Sequence, residues 1–385
     1  MAKSTGSAIY INGRFLTQNR TGVQRYSREV VRAIDRLLQQ QDCPQVLRDT
    51  EWVLLAPPGA ECDVPLDRIE FRKIGKGDGH PWEQSHLAKH SWSGRLLSPA
   101  SSGPIWHPRQ IVVLHDAGIY NAPAGYSRKY RIAHRVLDRL LARKAQIATV
   151  SYFSQTELGR CLRIPDKDIL LAPNGTDHLR TVLPDAAVVD RLGLEAGKYF
   201  VTLGLSTANK NIPLAIDAFR LLGRPDTRLV VIGKGSSRVF GSQNLESNPG
   251  VIFTGRLTDE EVTGLLRSAT ALLFPSRYEG FGIPSLEAML QGCPVIASTA
   301  PGIMEVCGDA ALHFHPDNSG MLQDLMRRVL DNPDIAATMR ARGHCRPDMY
   351  RWDATAAVFL EALEKLDWDK ERPELIMATN TLETE

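Results

Sequence analysis

The sequence predicts an α/β protein made of two domains, each built on a doubly wound parallel sheet. One observation is a strand, glycine-rich loop, helix and strand in direct succession over residues 271–298. Another is the same order near the N-terminus, where Gly22 lies between a strand at residues 8–11 and an apolar-faced helix. The length of 385 residues and the hydrophobic content of 43% suffice for two globular domains.

The unit at residues 271–298 has the features of an anion-binding site. Gly280 and Gly282 allow a ligand to lie against the loop backbone, and Pro284 suits the first turn of the helix. The free N–H groups of a helix N-terminus attract an anion such as a diphosphate. Glu279 and Glu287 frame this position, and carboxylates suit hydroxyl groups on either side of the anion. The pattern therefore favours a nucleotide-sugar, although a turn with two solvated glutamates is the alternative.

Composition and charge restrict the class of protein. No run of 18 apolar residues predicts a transmembrane helix, and the N-terminus has no apolar segment typical of a signal peptide. The six cysteines have no metal-ligand spacing, so we expect a cytoplasmic protein. Residues 1–180 contain 26 Lys and Arg against 17 Asp and Glu, an excess of +9, which favours an anionic partner such as a membrane surface or a lipid-linked diphosphate. We expect no nucleic-acid partner, because no zinc, RNP-like or basic-aromatic pattern accompanies this charge.

Further elements of the N-terminal half follow from its apolar runs. The sequence predicts strands at residues 52–56, 69–71, 111–114 and 168–172, and an irregular functional loop region over residues 72–109. Within that region, Pro81-Trp82-Glu83-Gln84 is compatible with a place in an acceptor cleft or with surface packing of Trp82. His115 and Asp116 end the strand at residues 111–114, where ligands bind in parallel sheets.

A basic helix followed by a strand is predicted over residues 127–150. The expected apolar side consists of Ile132, Val136, Leu137, Leu140 and Leu141. Seven basic residues occupy much of the remaining surface: Arg128, Lys129, Arg131, Arg135, Arg139, Arg143 and Lys144. Such a helix can lie on an anionic lipid surface, or it can be a packed surface helix with a solvated face.

The C-terminal half begins with a strand at residues 199–203, followed by Gly204 and by Lys210 at the start of a helix. Further strands at residues 228–232 and 251–257 precede the central unit. Gly233-Lys234-Gly235 weakly resembles a phosphate-binding loop, a common and unspecific pattern. His313 and His315 could supply two metal ligands, but without a third ligand we interpret them as ordinary strand residues. The last helix is expected at residues 352–366.

The string PSRYEGFGIPSLEAMLQGCPVIAS, with Glu279 and Glu287 separated by seven residues, resembles the signature of retaining glycosyltransferases of the GT-B fold. This is family four of the sequence-based classification, also known as glycosyl transferases group 1. The resemblance covers roughly residues 8–365. It implies two Rossmann-like domains that face a cleft, with a C-terminal helix that crosses back. The expected boundaries are 1–180 for the acceptor domain, 181–350 for the nucleotide-sugar domain, 351–369 for the crossing helix and 370–385 for a flexible tail.

The resemblance also implies roles for individual residues. The residues expected at the reacting centre are His115, Glu279 and Lys210. The residues expected to hold the nucleotide-sugar are Gly22, Gly204, Lys210, Arg256, Gly280, Phe281, Gly282, Ile283 and Glu287. One departure from the family pattern is Leu205, which stands where a basic residue usually follows the glycine. Arg25 or Arg256 could replace that charge.

The implied reaction is transfer of a sugar from a nucleoside-diphosphate sugar to a glycan or a lipid-diphosphate-linked acceptor in polysaccharide biosynthesis, with retained configuration. Among donors we favour GDP-mannose, which makes the protein a mannosyltransferase. The family needs no metal or other cofactor, and the sequence has no Asp-X-Asp cluster. The alternatives are another GT-B enzyme, either a phosphorylase or a nucleotide-sugar epimerase, and a non-catalytic sugar-nucleotide-binding protein. We expect a cytoplasmic protein, with peripheral binding to the inner face of the membrane through the Arg128–Lys144 helix as one alternative.

Overall fold

The computed structural model describes residues 8–204, 208–233 and 250–366. Three features named from the sequence fall outside these ranges: Leu205, the Lys234-Gly235 part of the weak phosphate loop, and the tail at residues 370–385.

The first half of the described chain forms a parallel sheet in the order β3-β2-β1-β4-β5-β6-β7. Its strands are β1 Ile9–Asn12, β2 Trp52–Ala56, β3 Ile69–Lys73, β4 Arg95–Ser98, β5 Gln110–Val113, β6 Gln146–Thr149 and β7 Leu170–Leu171. Its α-helices are α1 Gly22–Leu37, α2 Gln45–Arg48, α3 Gly79–Trp82, α4 Ala88–Ser91, α5 Gly118–Asn121, α6 Arg128–Lys144 and α7 Tyr152–Leu162. The strand order reverses between β1 and β4, so the crevice for a ligand opens at the carboxyl ends of these strands.

The second half forms a parallel sheet in the order β10-β9-β8-β11-β12-β13. Its strands are β8 Tyr199–Leu203, β9 Arg228–Ile232, β10 Val251–Gly255, β11 Ala271–Phe274, β12 Val295–Ser298 and β13 Ala311–Phe314. The helices of this half are α8 Ala187–Arg191, α9 Ile212–Leu222, α10 Asp259–Ser268, α11 Ile283–Leu290, α12 Pro301–Cys307, α13 Ser319–Asp331, α14 Pro333–His344 and α15 Trp352–Glu364. The order reverses between β8 and β11, and the predicted α/β architecture with two parallel sheets is confirmed.

The last helix, α15, returns to the first half and packs along α1. Trp352, Phe359 and Leu363 on its inner side are buried in a hydrophobic cluster that contains residues of both sheets. Arg36 of α1 also pairs with Asp353 in the first turn of α15. The expected crossing helix is therefore present, and it joins the two domains behind the cleft.

The prediction of an irregular region over residues 72–109 was wrong. The chain instead forms α3, a π-helical turn at Glu83–Leu87, α4 and the strand β4. Trp82 is buried against the sheet, and its indole N–H donates to the carbonyl of Ile74 at 2.9 Å. The side chain therefore lies neither in the cleft nor on the surface. The sequence did not reveal a short amphipathic segment here, because polar, glycine and proline residues surround it. Its apolar side consists of Trp82 and Leu87.

The predicted apolar side of α6 was also wrong in part. Ile132 and Val136 are 66% and 51% exposed, whereas Asp138, Leu141 and Ala142 are buried. The helix is rotated relative to the expectation, because the second half of α6 packs on the sheet and its contacts decide which side is buried. None of the helices in residues 8–204, 208–233 and 250–366 has the length and apolar character needed to cross a bilayer.

Candidate active site

The loop between β11 and α11 is held between the two domains. Ser151 and Ser154, at the start of α7, both donate hydroxyl hydrogen bonds to the carbonyl of Gly280. On the opposite side, the Glu305 carboxylate of α12 accepts two backbone N–H groups of the first turn of α7, at 2.9 and 2.8 Å. A carboxylate at a helix N-terminus is favourable, because it meets the positive end of the helix dipole. The N-terminus of α7 therefore fixes the position of the glycine loop.

Gly280 and Gly282 each need to be glycine, but for different structural reasons. A Cβ atom at Gly280 would lie 2.7 Å from the Cβ of Asp116 and 2.7 Å from the carbonyl oxygen of His115, so only glycine allows this approach between the domains. Gly282 has a φ of 113°, which L-residues rarely adopt, and it begins α11. The close contact brings the strand-end residues of β5 to the loop that carries Glu279.

The N-terminus of α11 faces the first turn of α1. The Cβ position of Gly22 lies 3.9 Å from the Cδ1 atom of Ile283, so the two helix N-termini meet across the cleft. Phe281 is buried and packs edge-on against Tyr350, at 5.2 Å between ring centroids. Phe281 therefore anchors the loop, while Gly22 and Ile283 border the space in front of two sets of helix N–H groups.

Lys210 and Glu279 form an ion pair in the cleft, with 2.6 Å between Nζ and Oε1. Lys210 lies in a 3₁₀ turn, and its side chain passes over the position of Gly204, whose Cβ would lie 3.2 Å from the Lys210 Cβ. Asp116 lies nearby, and burial raises the pKa of its carboxyl, with a further rise from Glu279. The backbone N–H of Gly118 donates to Asp116, which opposes that rise in pKa. One lysine and two carboxyl groups thus share one part of the cleft.

His115 is held in one orientation beside this group. Its Nε2 lies 2.9 Å from the carbonyl oxygen of Pro99, so Nε2 carries the proton and donates it there. Tyr26 packs edge-on against the ring at 4.7 Å. Burial lowers the pKa of His115 to about 4. The imidazole is therefore neutral near pH 7, and its Nδ1 is left as a hydrogen-bond acceptor.

Glu287 lies in the neighbouring part of the cleft with a cluster that the sequence only partly revealed. Arg25 of α1 approaches Glu287 at 3.9 Å and pairs with Asp259 at the start of α10. His178 lies 4.0 Å from the same Glu287 oxygen, and burial lowers the pKa of His178 to about 3. Burial raises the pKa of Glu287, and Arg25 opposes this rise. Of the two arginines considered as substitutes for the missing charge, Arg25 lies 3.9 Å from Glu287, whereas the side chain of Arg256 is exposed.

The structure thus brings together nearly all of the predicted site residues in two adjacent groups. His115, Lys210, Glu279 and Gly280 form one group, and Gly22, Ile283 and Glu287 belong to the other. Sequence reasoning missed the residues that position these groups, namely Ser151, Ser154, Glu305, His178 and Asp259. Ser151 had a detectable signal as the N-cap of a helix after a strand. His178 had none, because it lies in a short turn of the linker.

Comparisons with known proteins agree with this architecture. Residues 190–345 match the family glycosyl transferases group 1. The chain is similar to O-antigen chain mannosyltransferase B of Escherichia coli, with 28% identity over 90% of this chain and 96% of the relative. It is also similar to O-antigen chain mannosyltransferase RfbU of Salmonella typhimurium, with 26% identity over 58% of this chain and 62% of the relative. The Anabaena protein HepE, solved with UDP and glucose, superposes with a TM-score of 0.71 at 16% identity, over 94% of this chain and 100% of HepE.

These matches and the two facing parallel sheets define the protein as a GT-B glycosyltransferase. The match to glycosyl transferases group 1 lies in the second domain, and the proteins to which the chain is similar include mannosyltransferases.

Proposed function

We propose that the protein transfers mannose from GDP-mannose to a glycan or lipid-linked acceptor in polysaccharide biosynthesis, with retention of the anomeric configuration. The observation that carries this proposal is the division of the cleft into two groups around the α11 N-terminus. Lys210, Glu279 and His115 lie on one side, and Glu287 with Arg25 lies on the other. A nucleoside-diphosphate sugar has the matching order of sugar, diphosphate and ribose. The names of the two O-antigen relatives support mannose and a polysaccharide product.

In this proposal Glu279 binds hydroxyls of the donor sugar and Glu287 binds the ribose. The neutral His115 accepts a hydrogen bond from an outer hydroxyl of the sugar. The bond between the anomeric carbon and the diphosphate oxygen breaks, and the acceptor oxygen bonds to the same face of that carbon. The leaving phosphate takes the acceptor proton, so no protein nucleophile is needed.

The main physical difficulty is the negative charge that develops on the leaving diphosphate. Lys210 and Arg25 supply positive charge, and the N–H groups at the starts of α1 and α11 supply aligned dipoles. Fixed groups of this kind stabilise a transition state without reorganisation during the reaction. No metal ion takes part in the proposed mechanism.

The donor is tested by thermal shift with GDP, UDP, dTDP and ADP. A ligand at 100 times its dissociation constant adds about 2.7 kcal/mol to stability, and we expect the largest shift with GDP. A larger shift with another nucleotide would contradict the choice of guanine. Glu287→Ala should reduce the shift, whereas Glu279→Gln should keep it.

The reaction is tested by following the products from GDP-mannose and an acceptor. We expect a glycoside with retained configuration, and Glu279→Gln should lose most turnover although it still binds GDP. Release of mannose 1-phosphate would indicate a phosphorylase, and an epimerised donor would indicate an epimerase. Binding of GDP without any turnover would indicate a sugar-nucleotide-binding protein.

We also propose that α6 binds the protein to an anionic membrane surface that presents the acceptor. Lys129, Ile132, Val136, Arg139 and Arg143 are all exposed and follow one another at helical spacing, so they form one stripe along the helix. This stripe, called the α6 stripe below, combines two apolar side chains with three cations. Apolar side chains enter the headgroup region and cations pair with anionic lipid, so the combination suits an interfacial helix.

A further inference from the structure

A row of aromatic rings runs from the cleft over the surface of the N-terminal domain. Tyr130 and His134 lie one turn apart on the first half of α6, and Tyr126 lies just before that helix. The ring centroids of Tyr126 and Tyr130 are 5.7 Å apart with nearly parallel planes, and those of Tyr130 and His134 are 4.0 Å apart. His80, in α3, continues the row at 5.5 Å from His134. We call these four residues the aromatic row.

One end of the aromatic row lies at the reacting centre. The Tyr126 hydroxyl and the Asp116 Oδ1 atom both lie within 3.0 Å of the position that a Cβ at Gly118 would occupy. Burial raises the pKa of the Tyr126 hydroxyl, and the nearby Asp116 and Glu279 add to the rise, so the hydroxyl stays protonated. Gly125 packs against Asn209, next to Lys210 in the opposite domain, with 3.0 Å between its Cβ position and Nδ2. Tyr126 is thus part of the cleft wall.

The other end is fixed by a fully buried carboxylate, Glu83. Glu83 accepts hydrogen bonds from Asn12 at 2.8 Å, from Ser102 at 2.7 Å and from His80 Nδ1 at 2.9 Å. Arg14 pairs with Glu83 at 3.0 Å. Since four partners hold this carboxylate in the protein interior, Glu83 is a rigid support that fixes the ring of His80.

The charge of Arg14, beside the aromatic row, is compensated. The Arg14 guanidinium is used by Glu83 and by a hydrogen bond to Ser102. Burial lowers the pKa of His134, as do the nearby His80 and Arg14, so His134 is neutral near pH 7. The row therefore offers aromatic rings, hydroxyls and imidazole nitrogens.

We propose that the aromatic row is the acceptor subsite and that it binds the uncharged sugar rings of a glycan chain, with the terminal sugar next to Tyr126. This inference rests on the proposed glycosyltransfer and names the part of the acceptor that the protein recognises. A pyranose ring has an apolar C–H face and a rim of hydroxyls. Aromatic rings pack against the apolar C–H face, and phenolic hydroxyls and imidazole nitrogens hydrogen-bond to the hydroxyls of the rim. Tyr130 is 45% exposed, so its ring has surface available for such a contact.

The direct test is binding of linear α-linked mannotetraose, measured by saturation-transfer NMR in the presence of GDP. We expect Tyr130→Ala to weaken tetraose binding about tenfold, the size of one lost aromatic contact, while GDP affinity stays the same. Tyr130→Phe keeps the ring and should retain most of the binding. Methyl α-mannopyranoside should bind the parent protein more weakly than the tetraose, because it covers only the first position of the row.

The matched control is Leu221→Ala, which removes an exposed side chain of α9, outside both the row and the α6 stripe. It should leave tetraose binding unchanged. Because the proposed contacts with the sugar rings are uncharged, tetraose affinity should also be the same at about 0.05 M and about 0.5 M NaCl. Unchanged tetraose binding in both Tyr130→Ala and His134→Ala would overturn the proposal, as would strong weakening by salt. Loss of GDP binding in the parent would instead contradict the proposed donor, and it is read separately from the tetraose signal.

Discussion

The cations of the cleft are each paired with a carboxylate that has its own predicted role. Lys210 pairs with Glu279, and Arg25 lies between Asp259 and Glu287. A diphosphate that enters between these pairs attracts both cations, which frees carboxylate oxygens for sugar and ribose hydroxyls. The same pairing keeps two buried carboxylates compensated in the absence of a charged ligand.

Replacing Lys210 by Ala should therefore affect the reaction more than the fold. We expect kcat/KM to fall about 100- to 1,000-fold, the usual loss for one fixed group that stabilises a developing anion. Steady-state kinetics measure this effect, and the thermal midpoint shows whether the fold is intact. Lys167→Ala, an exposed lysine outside the cleft and the α6 stripe, is the control. Parent-like kcat/KM in Lys210→Ala would mean that another cation stabilises the leaving group.

A single carboxyl on α6, Asp138, should make stability depend on pH. Burial raises its pKa from 3.8 to about 7, and the Tyr120 hydroxyl lies 3.5 Å from it. Since the folded state binds the proton more tightly than the unfolded chain, this contribution is complete at low pH and is lost as the pH rises through 7. The free energy of unfolding of Asp138→Asn, relative to that of the parent, should therefore rise by on the order of 2 kcal/mol from pH 5 to pH 8. Urea denaturation of both proteins at the two pH values measures the gain, and a pH-independent difference would contradict it.

At the scale of elements, α6 has three sides with different partners. Its inner side packs on β5 and β6, its first half carries two members of the aromatic row, and its outer side is the α6 stripe. Arg135 belongs to none of these sides, because it donates to the carbonyls of Ile119 and Tyr120 at the end of α5. Arg135 is thus structural, and a test of the stripe should leave it unchanged.

Charge reversal at Arg139 and Arg143 should abolish membrane binding. We expect the parent protein to sediment with anionic liposomes at about 0.1 M salt and to be released at about 1 M, where the Debye length falls to about 3 Å. The double variant should stay in solution at both concentrations and should still bind GDP. Arg327→Glu with Arg328→Glu, on α13 of the other domain, is the matched control.

Two outcomes of this sedimentation experiment decide the role of α6. Salt-resistant binding of the parent would indicate insertion of Ile132 and Val136 rather than attraction by charge. No binding of the parent at any salt concentration would contradict the membrane proposal and favour a water-soluble acceptor.

For the whole molecule, α15 is the element that joins the two domains into one structure. The cluster around Phe359 contains buried side chains of both sheets, and the Trp352 indole N–H donates to His178 at 3.1 Å in the linker. His178 in turn lies 4.0 Å from Glu287. Contacts thus lead from α15 to the part of the cleft that contains Glu287.

Phe359→Ala should destabilise the protein strongly. The side chain is fully buried, so we expect the free energy of unfolding to fall by about 3–5 kcal/mol through lost apolar contact and a remaining cavity. Denaturant unfolding measures the change. Val358→Ala on the same helix, where the side chain is only partly buried, should cost less. A loss below about 1 kcal/mol in Phe359→Ala would show that α15 contributes little to the stability of the fold.

The sequence alone determined the parallel sheets and most of the glycine loop, because these depend on local patterns. Strands buried on both faces appear as short apolar runs, such as the one at β5, and the loop at Gly280 and Gly282 stands between a strand and a helix. The Glu279 and Glu287 positions followed from the same local pattern. The error at residues 72–109 arose because β4 and the neighbouring helical turns are too short to establish a period.

Only the tertiary structure decided which partners these residues have. Three hydrogen bonds join residues that lie 129 to 234 positions apart in the chain. They connect Arg25 with Asp259, Ser151 with Gly280, and Trp352 with His178. The exposed side of α6 was decided in the same way, because a helix with apolar residues on more than one side buries the side that its neighbours cover. The periodicity of the sequence shows which side chains are apolar. The packing of α6 against the sheet and α7 decides which of them are buried.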